Sequence, residues 1–292
     1  MKKYDTIVMG GTGFVGGYLV SELASAGQKI AVLHAHPLGE DYLSTVFYFR
    51  ENDSPNLLED TIKMSKKIIF MAQPNMVLLK RVLGAIPSNS EKTLLYISTV
   101  MVYKGGKKPQ KETDKLFPIN SFAKEKNKEE KIILAFAREH KKMPILIARL
   151  SNVYGGLKNR GLIGLAFKSL FENNEIIISG DGGQVRDFIF VDDVAKILKL
   201  LMTVKKEGIC TVNVATGIGY SLIDVIRIIE TIVNKKIVYS FGPFVEETYS
   251  VIGDNTKLKS MIEFQGTISL KDGLIKAYER YIIHNKNKYL SK

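Results

Sequence analysis

Thr6-Ile7-Val8-Met9-Gly10-Gly11-Thr12-Gly13-Phe14-Val15-Gly16 is the stretch on which the fold turns. A short apolar, β-branched run enters glycines directly, and an amphipathic segment begins at the last of them. Glycine at positions 10, 13 and 16 permits a tight turn, close approach of backbone to a pyrophosphate, and close helix–strand contact. The helix that follows presents unpaired N–H groups to an anion. Ordinary turn glycines are the competing reading. The position after a strand and before a helix is the context a dinucleotide-binding loop requires. Gly10, Gly13, Phe14, Val15 and Gly16 are therefore candidate cofactor contacts.

Outward from this loop, residues 6–9, 29–33, 46–49, 68–71, 94–98 and 145–149 read as strands, and 16–26, 57–64, 77–86 and 122–139 as helices. In the last helix Phe122, Lys126, Glu129, Ile133 and Phe136 share one side. Such alternation implies an α/β fold, a Rossmann-type doubly wound parallel sheet covered on both faces. Beyond Tyr154 the pattern loosens. A helix is expected around 165–171, strands at 175–179 and 187–190 about a turn at 180–183, a strand at 211–214 and a helix at 221–233. Another helix is expected to start near Asp192, with Asp192-Asp193 as a cap rather than metal ligands. Residues 1–154 read as the dinucleotide-binding domain and 155–292 mainly as a smaller C-terminal α/β substrate lobe, with 211–214 and nearby segments returning to the main domain. The tail 285–292 is expected to fray.

A ribose-binding carboxylate would stand at the end of the second strand. The chain has Leu33-His34-Ala35-His36 there, with neither acid nor arginine, so NAD and NADP both stay open and NAD is slightly favoured. His34 is a candidate ribose contact. Two imidazoles without nearby carboxylates or thiols make a poor metal site, and no metal is expected.

Composition narrows the classes. Of 292 residues, 45% are apolar and 25% charged, which excludes disordered and collagenous chains. The sole cysteine, Cys210, excludes an intramolecular disulfide framework and fits a reducing compartment. No apolar run approaches the ~20 residues of a membrane span, and Tyr4-Asp5 interrupts what Met1-Lys2-Lys3 would need for a secretory leader. A cytoplasmic protein is expected. The net charge of +12 is dispersed in lysine pairs, which suits a solvated surface attracting an anionic small substrate rather than nucleic acid.

Further motifs follow in order: Tyr96-Ile97-Ser98-Thr99-Val100-Met101-Val102-Tyr103, Ala148-Arg149-Leu150-Ser151-Asn152-Val153-Tyr154-Gly155, the run from Gly180 to Asp193 containing Arg186-Asp187-Phe188, and Asn213-Val214-Ala215-Thr216-Gly217. Together with the glycine loop they resemble an extended short-chain dehydrogenase/reductase of the NAD-dependent epimerase/dehydratase family, from Ile7 to about Glu230. The resemblance implies roles residue by residue. Thr99 would hydrogen-bond the reacting sugar hydroxyl or ketone, Lys126 would bind nicotinamide ribose, and Asn152 and Arg186 would hold the diphosphate. Glu51 and Asn52 would lie against adenine, and Met71, Ala72 and Gln73 at the end of the fourth strand against the cofactor. The family's 4,6-dehydratases carry an Asp-Glu pair after the threonine. Val100 and Met101 stand there, which favours an epimerase or simple oxidoreductase.

One position departs from the family. Its Tyr-x-x-x-Lys pair aligns with Phe122-Ala123-Lys124-Glu125-Lys126, and phenylalanine can neither ionise nor donate. Four explanations stay open: another group carries the proton, with Tyr103, Lys126 and Thr99 nearest; the chain is a Tyr-to-Phe variant that traps a complex; the redox step is slower or different; or nucleotide and sugar bind without turnover. The residues also allow plainer roles. Phe122 and Lys126 could be packing and a snorkelling stem, and Thr99 could satisfy backbone. Tyr103 reads more as packing than as a base, Arg149 as an ion pair, and Arg186 could instead pair with Asp187 or another carboxylate. The expected substrate is a nucleotide-diphosphate sugar reacting at C4 by hydride transfer, the alternative a catalytically silent binding protein. Family analogy implies a homodimer through helices 77–86 and 122–139. Loops 101–118 and 241–248 are expected to set sugar specificity.

Overall fold

The computed structural model describes residues 3–35, 42–88, 90–172 and 174–290. His36 lies outside them. Six strands alternate with helices along the first half: β1 (Tyr4–Met9), α1 (Phe14–Ser25), β2 (Ile30–Leu33), β3 (Phe47–Phe49), α2 (Leu57–Met64), β4 (Ser65–Phe70), α3 (Met76–Gly84), β5 (Thr93–Thr99), α4 (Ser121–Glu139) and β6 (Pro144–Leu150). The second half adds β7 (Asn152–Tyr154), α5 (Leu162–Glu172), β8 (Ile176–Ser179), β9 (Val185–Phe190), α6 (Val191–Leu201) and β10 (Gly208–Val214). It ends with β11 (Gly219–Ser221), α7 (Leu222–Val233), β12 (Tyr239–Gly242), β13 (Ser250–Val251), α8 (Thr256–Met261) and α9 (Leu270–Leu290).

Seven strands pair in the order β10-β6-β5-β4-β1-β2-β3, every neighbour parallel. The segment read at 211–214 is thus part of β10, at the sheet edge beside β6. Because successive strand residues face opposite sides, Val8 packs with Leu19, Leu23, Val194 and Ile197 under α1 and α6. Ile7 and Met9 pack with Ile62, Leu79, Val82 and Ile133 under α2, α3 and α4. Both faces are covered, as the continuous apolar strands require. The order reverses between β1 and β4, so the crevice at their carboxyl ends is where such sheets bind ligands.

The C-terminal segments surround a third core of Phe167, Phe188, Phe190, Ile226, Ile229, Leu274 and Tyr281. A short sheet of β11, β9 and β13, joined by β7, lies there, and β8 pairs with β12. Asp192-Asp193 do not cap α6. That helix begins at Val191 without a side-chain cap, and the aspartates have other partners. Both Asp192 oxygens accept from Arg280 of α9, at 2.9 and 2.7 Å, and Asp193 accepts from the Ile268 N–H. Arg280 also donates to the Gly155 carbonyl at 2.7 Å and stacks over the rings of Tyr18 in α1 and Phe190 in β9. The expected frayed tail instead continues α9 to Leu290. Among the described residues no helix is long and apolar enough to cross a membrane.

Two glycines in the first loop are dictated by space. Gly10 adopts φ +87°, and a Cβ there would meet the Ala72 backbone N at 2.8 Å. A Cβ on Gly16 would run into the Gly10 carbonyl oxygen. Gly16→Ala is therefore expected to destabilise the protein by about 1–3 kcal/mol through forced backbone displacement, measurable as a lowered Tm. Gly17→Ala, where a Cβ meets nothing within 4 Å, should be close to neutral or stabilising.

Candidate functional site

The candidate site begins at the glycine loop, at the carboxyl end of β1. Gly10 N–H donates to Leu33 O at 3.3 Å and Gly13 N–H to Gly10 O at 3.1 Å, which folds the loop back over β1 and β2. Helix α1 then starts with no side-chain cap and no acidic residue in its first turn. Its leading N–H groups and the positive end of its dipole are left for an anion. Phe14 meets Tyr18 edge-on, and both crowd Gly156 from the other half of the chain.

Around this loop the structure gathers several of the residues singled out above. His34, at the end of β2, is 7% exposed, donates its backbone N–H to Phe49 and lies edge-on to Tyr48. Met71, Ala72 and Gln73 follow β4, with Ala72 against Gly10. Glu51 and Asn52 are exposed beyond β3, and Glu51 is paired with Arg81 of α3 at 2.6 Å.

Helix α4 supplies the charged groups. Asn120 caps it by accepting from the Ala123 N–H, which fixes where Phe122 and Lys126 stand. Phe122 is 42% exposed on the first turn, whereas Lys126 is 4% exposed one turn further. The Lys126 ammonium donates to Ala72 O at 3.2 Å, pairs with Glu129 at 3.4 Å and sits 4.9 Å from the centre of the Tyr96 ring. Burial pushes its pKa down, and Glu129 opposes that shift. Thr99 ends β5, its hydroxyl accepting from the Met101 N–H at 3.2 Å.

Beneath these groups runs a second ionic cluster. Glu130 pairs with Arg149 of β6 at 2.6 Å and accepts from the Ser98 hydroxyl at 2.5 Å. Arg149 therefore has the ion pair expected of it. It also donates to the Tyr103 hydroxyl at 2.9 Å, while that hydroxyl donates to Asn213 Oδ1 at 2.7 Å. Tyr103 is wholly buried, and burial pushes its phenol up to about 12. Tyr103 is thereby turned away from the crevice and withdrawn from the candidates for proton transfer, since its hydroxyl is committed to Asn213 and Arg149.

Asn152 and Arg186 are brought together elsewhere, on a cavity of about 190 Å³ shared with Tyr154, Asn159, Phe188 and Glu247. Arg186 does not pair with Asp187. The two alternate across β9, and Asp187 is buried on the opposite side, accepting from Thr216 and Gly217. Arg186 pairs instead with Glu247 at 2.8 Å and donates to the carbonyls of Val185 and Tyr249. Sequence reasoning missed Glu247, because it lies in a loop with no periodicity to mark it. It also passed over the pairing role of Glu129, although that residue's place one turn after Lys126 on the same helical side was visible. Among the described residues, no group of three or more His, Cys, Asp and Glu is placed to hold a metal.

The buried Glu130–Arg149 pair yields a direct test. Removing one partner leaves the other charge buried alone, so Arg149→Met is expected to cost about 3–5 kcal/mol, read by denaturant unfolding. Adding Glu130→Gln to it should recover much of that loss.

Residues 61–215 match the sequence model of the NAD dependent epimerase/dehydratase family. The chain is 27% identical over 205 residues to an uncharacterized UDP-glucose epimerase of Bacillus subtilis (strain 168), a match spanning 70% of this chain and 65% of that protein. It is 24% identical over 313 residues to a UDP-N-acetyl-alpha-D-glucosaminuronate decarboxylase of Bacillus cytotoxicus, over 94% of this chain and 96% of that one. Among solved structures, a tyrosine-to-phenylalanine mutant of UDP-glucuronic acid 4-epimerase from Bacillus cereus, in complex with UDP-4-deoxy-4-fluoro-glucuronic acid and NAD, superposes with a TM-score of 0.86. That match has 21% identity and covers 96% of this chain and 99% of the other, a likeness of fold.

Proposed function

The chain belongs to the NAD dependent epimerase/dehydratase family, and from that premise we propose that it is an NAD-dependent epimerase or oxidoreductase acting at C4 of a nucleotide-diphosphate sugar. The observation that carries this reading is the convergence of the Gly10–Gly16 cradle, the uncapped start of α1 and the buried Lys126 ammonium at one edge of the sheet. A tight loop with no room for a Cβ at Gly10 or Gly16, leading into a helix start with neither cap nor acid, fits a pyrophosphate, so the residues present fit the dinucleotide. When bound, the dinucleotide supplies a nicotinamide that takes hydride from a carbon and returns it.

Phe14, Val15 and Gly16 would hold the pyrophosphate by backbone N–H groups at the start of α1, and Gly10 and Gly13 would border it through the turn that they form. His34, Glu51 and Asn52 border the adenosine end, and Met71, Ala72, Gln73 and Lys126 the nicotinamide ribose. Thr99 orients the reacting hydroxyl. Asn152 and Arg186 grip the diphosphate, Arg186 as a planar fork able to hold two oxygens at once, with Glu247 as its resting partner. The relatives support this class by name: one is called a UDP-glucose epimerase, the other a UDP-sugar acid decarboxylase. NAD is the form we propose, in line with the solved neighbour that holds NAD. We place the protein in the cytoplasm. We also propose a homodimer through α3 and α4, where Val77 and Leu134 are exposed.

Phe122 favours a second reading, a protein that binds both ligands without turnover. Phe122 stands at the position of the family's tyrosine, one turn before Lys126, is exposed, and offers no proton. Absorbance in the reduced-nicotinamide band separates the two. Addition of NAD and then UDP-, dTDP- or GDP-sugars should produce a spectral change with product if the enzyme turns over, whereas tight binding without either supports the silent protein. Phe122→Tyr is expected to raise the rate on the order of 10²–10⁴-fold. No gain would place the proton donor elsewhere.

A further inference from the structure

Two successive residues of α4, Glu129 and Glu130, are both buried, at 0% and 1% exposure. Adjacent helical residues point about 100° apart, so the two carboxylates meet different partners. Glu130 is fully engaged by Arg149 and Ser98. Glu129 meets a different set. Its Oε1 accepts from the Asn75 N–H at 2.7 Å, and its Oε2 accepts from the Tyr96 hydroxyl at 2.6 Å and pairs with Lys126. Nothing in the proposed chemistry uses this carboxylate directly.

We infer that Glu129 is a positioning residue for Lys126, a buried counter-charge that keeps the ammonium protonated and aimed at the edge of β4. This rests on the reading of that edge as the dinucleotide site. The titratable groups facing Lys126 are Glu129, Glu130 and Tyr96. Glu130 belongs to Arg149, and Tyr96 is held neutral by burial and by the carboxylate beside it. With phenylalanine at position 122, the phenol beside the ammonium is Tyr96, whose ring lies under it and whose hydroxyl is given to Glu129. Glu129, which pairs with Lys126 directly, is the main charge offsetting the burial that would otherwise strip it of its proton, and Glu130 adds to it. Asn75 and Tyr96 hold the carboxylate from the start of α3 and from β5. The counter-charge is thus fixed relative to the Ala72 carbonyl that Lys126 also contacts.

The test titrates Lys126 in the ligand-free protein, by carbon-13 NMR of lysine-labelled wild type and Glu129→Gln, with Lys126→Met identifying the signal. Removing the negative charge disfavours the ammonium, so the titration midpoint is expected to fall by about one pH unit or more in Glu129→Gln. NAD affinity, measured by calorimetry above the new midpoint, should weaken about tenfold for that charge loss. An unmoved midpoint in folded Glu129→Gln, or a lowered Tm with no shift, overturns the inference. Should Glu129→Gln not fold, Glu129→Asp gives the second reading: the shorter side chain withdraws the charge from the ammonium, so the Lys126 midpoint should again fall, and an unmoved midpoint overturns the inference. Failure of wild type to bind NAD would remove the dinucleotide reading, while the titration would still decide whether Glu129 holds the charge on Lys126.

Discussion

Buried charge must be paired, and on α4 that requirement falls on Lys126, Glu129 and Glu130 within five consecutive residues. An isolated ion in the interior costs several kcal/mol, so the helix can dock only where each finds its partner. Arg149 and Ser98 anchor one side, Tyr96 and Asn75 the other. These partners come from β5, β6 and the start of α3, so a single placement of the helix satisfies all of them. Phe122 lies outside the set, exposed on the first turn of the helix.

The same polar satisfaction carries across the two halves of the chain. Asn213 accepts from Tyr103 and donates to the carbonyls of Gln110 and Asp254, while its own N–H donates to Glu112. The loop after β5 is thereby tied to β10 and to the segment following β13. Gly106 and Gln110 extend this tie by backbone hydrogen bonds to Ser250 and Ile252. A lysine-rich loop that the sequence marks by no strand or helix period is held at several points along its length.

Most of the sheet was legible because apolar runs buried on both faces carry a strong pattern, and the glycine loop because its spacing has a steric cause. Lys126 and Arg186 were legible through motif context. What escaped depends on contacts between distant segments. Asp192 looks like a cap by position, yet Arg280, 88 residues later, takes both its oxygens. Arg186 invites pairing with its neighbour Asp187, but strand alternation sends them apart, and a loop glutamate 61 residues later, Glu247, takes the guanidinium. Tyr103 lies near Thr99 in sequence, yet the short turn between them directs its ring inward.

Arg280 joins four parts of the molecule: its own helix α9, α1 beside the glycine loop, the Gly155 turn and the first turn of α6. Its guanidinium acts as a rivet through the seam between the first and last helices. A seam riveted there holds the last helix against the one that the glycine loop opens, so the two ends of the chain brace each other beside that loop.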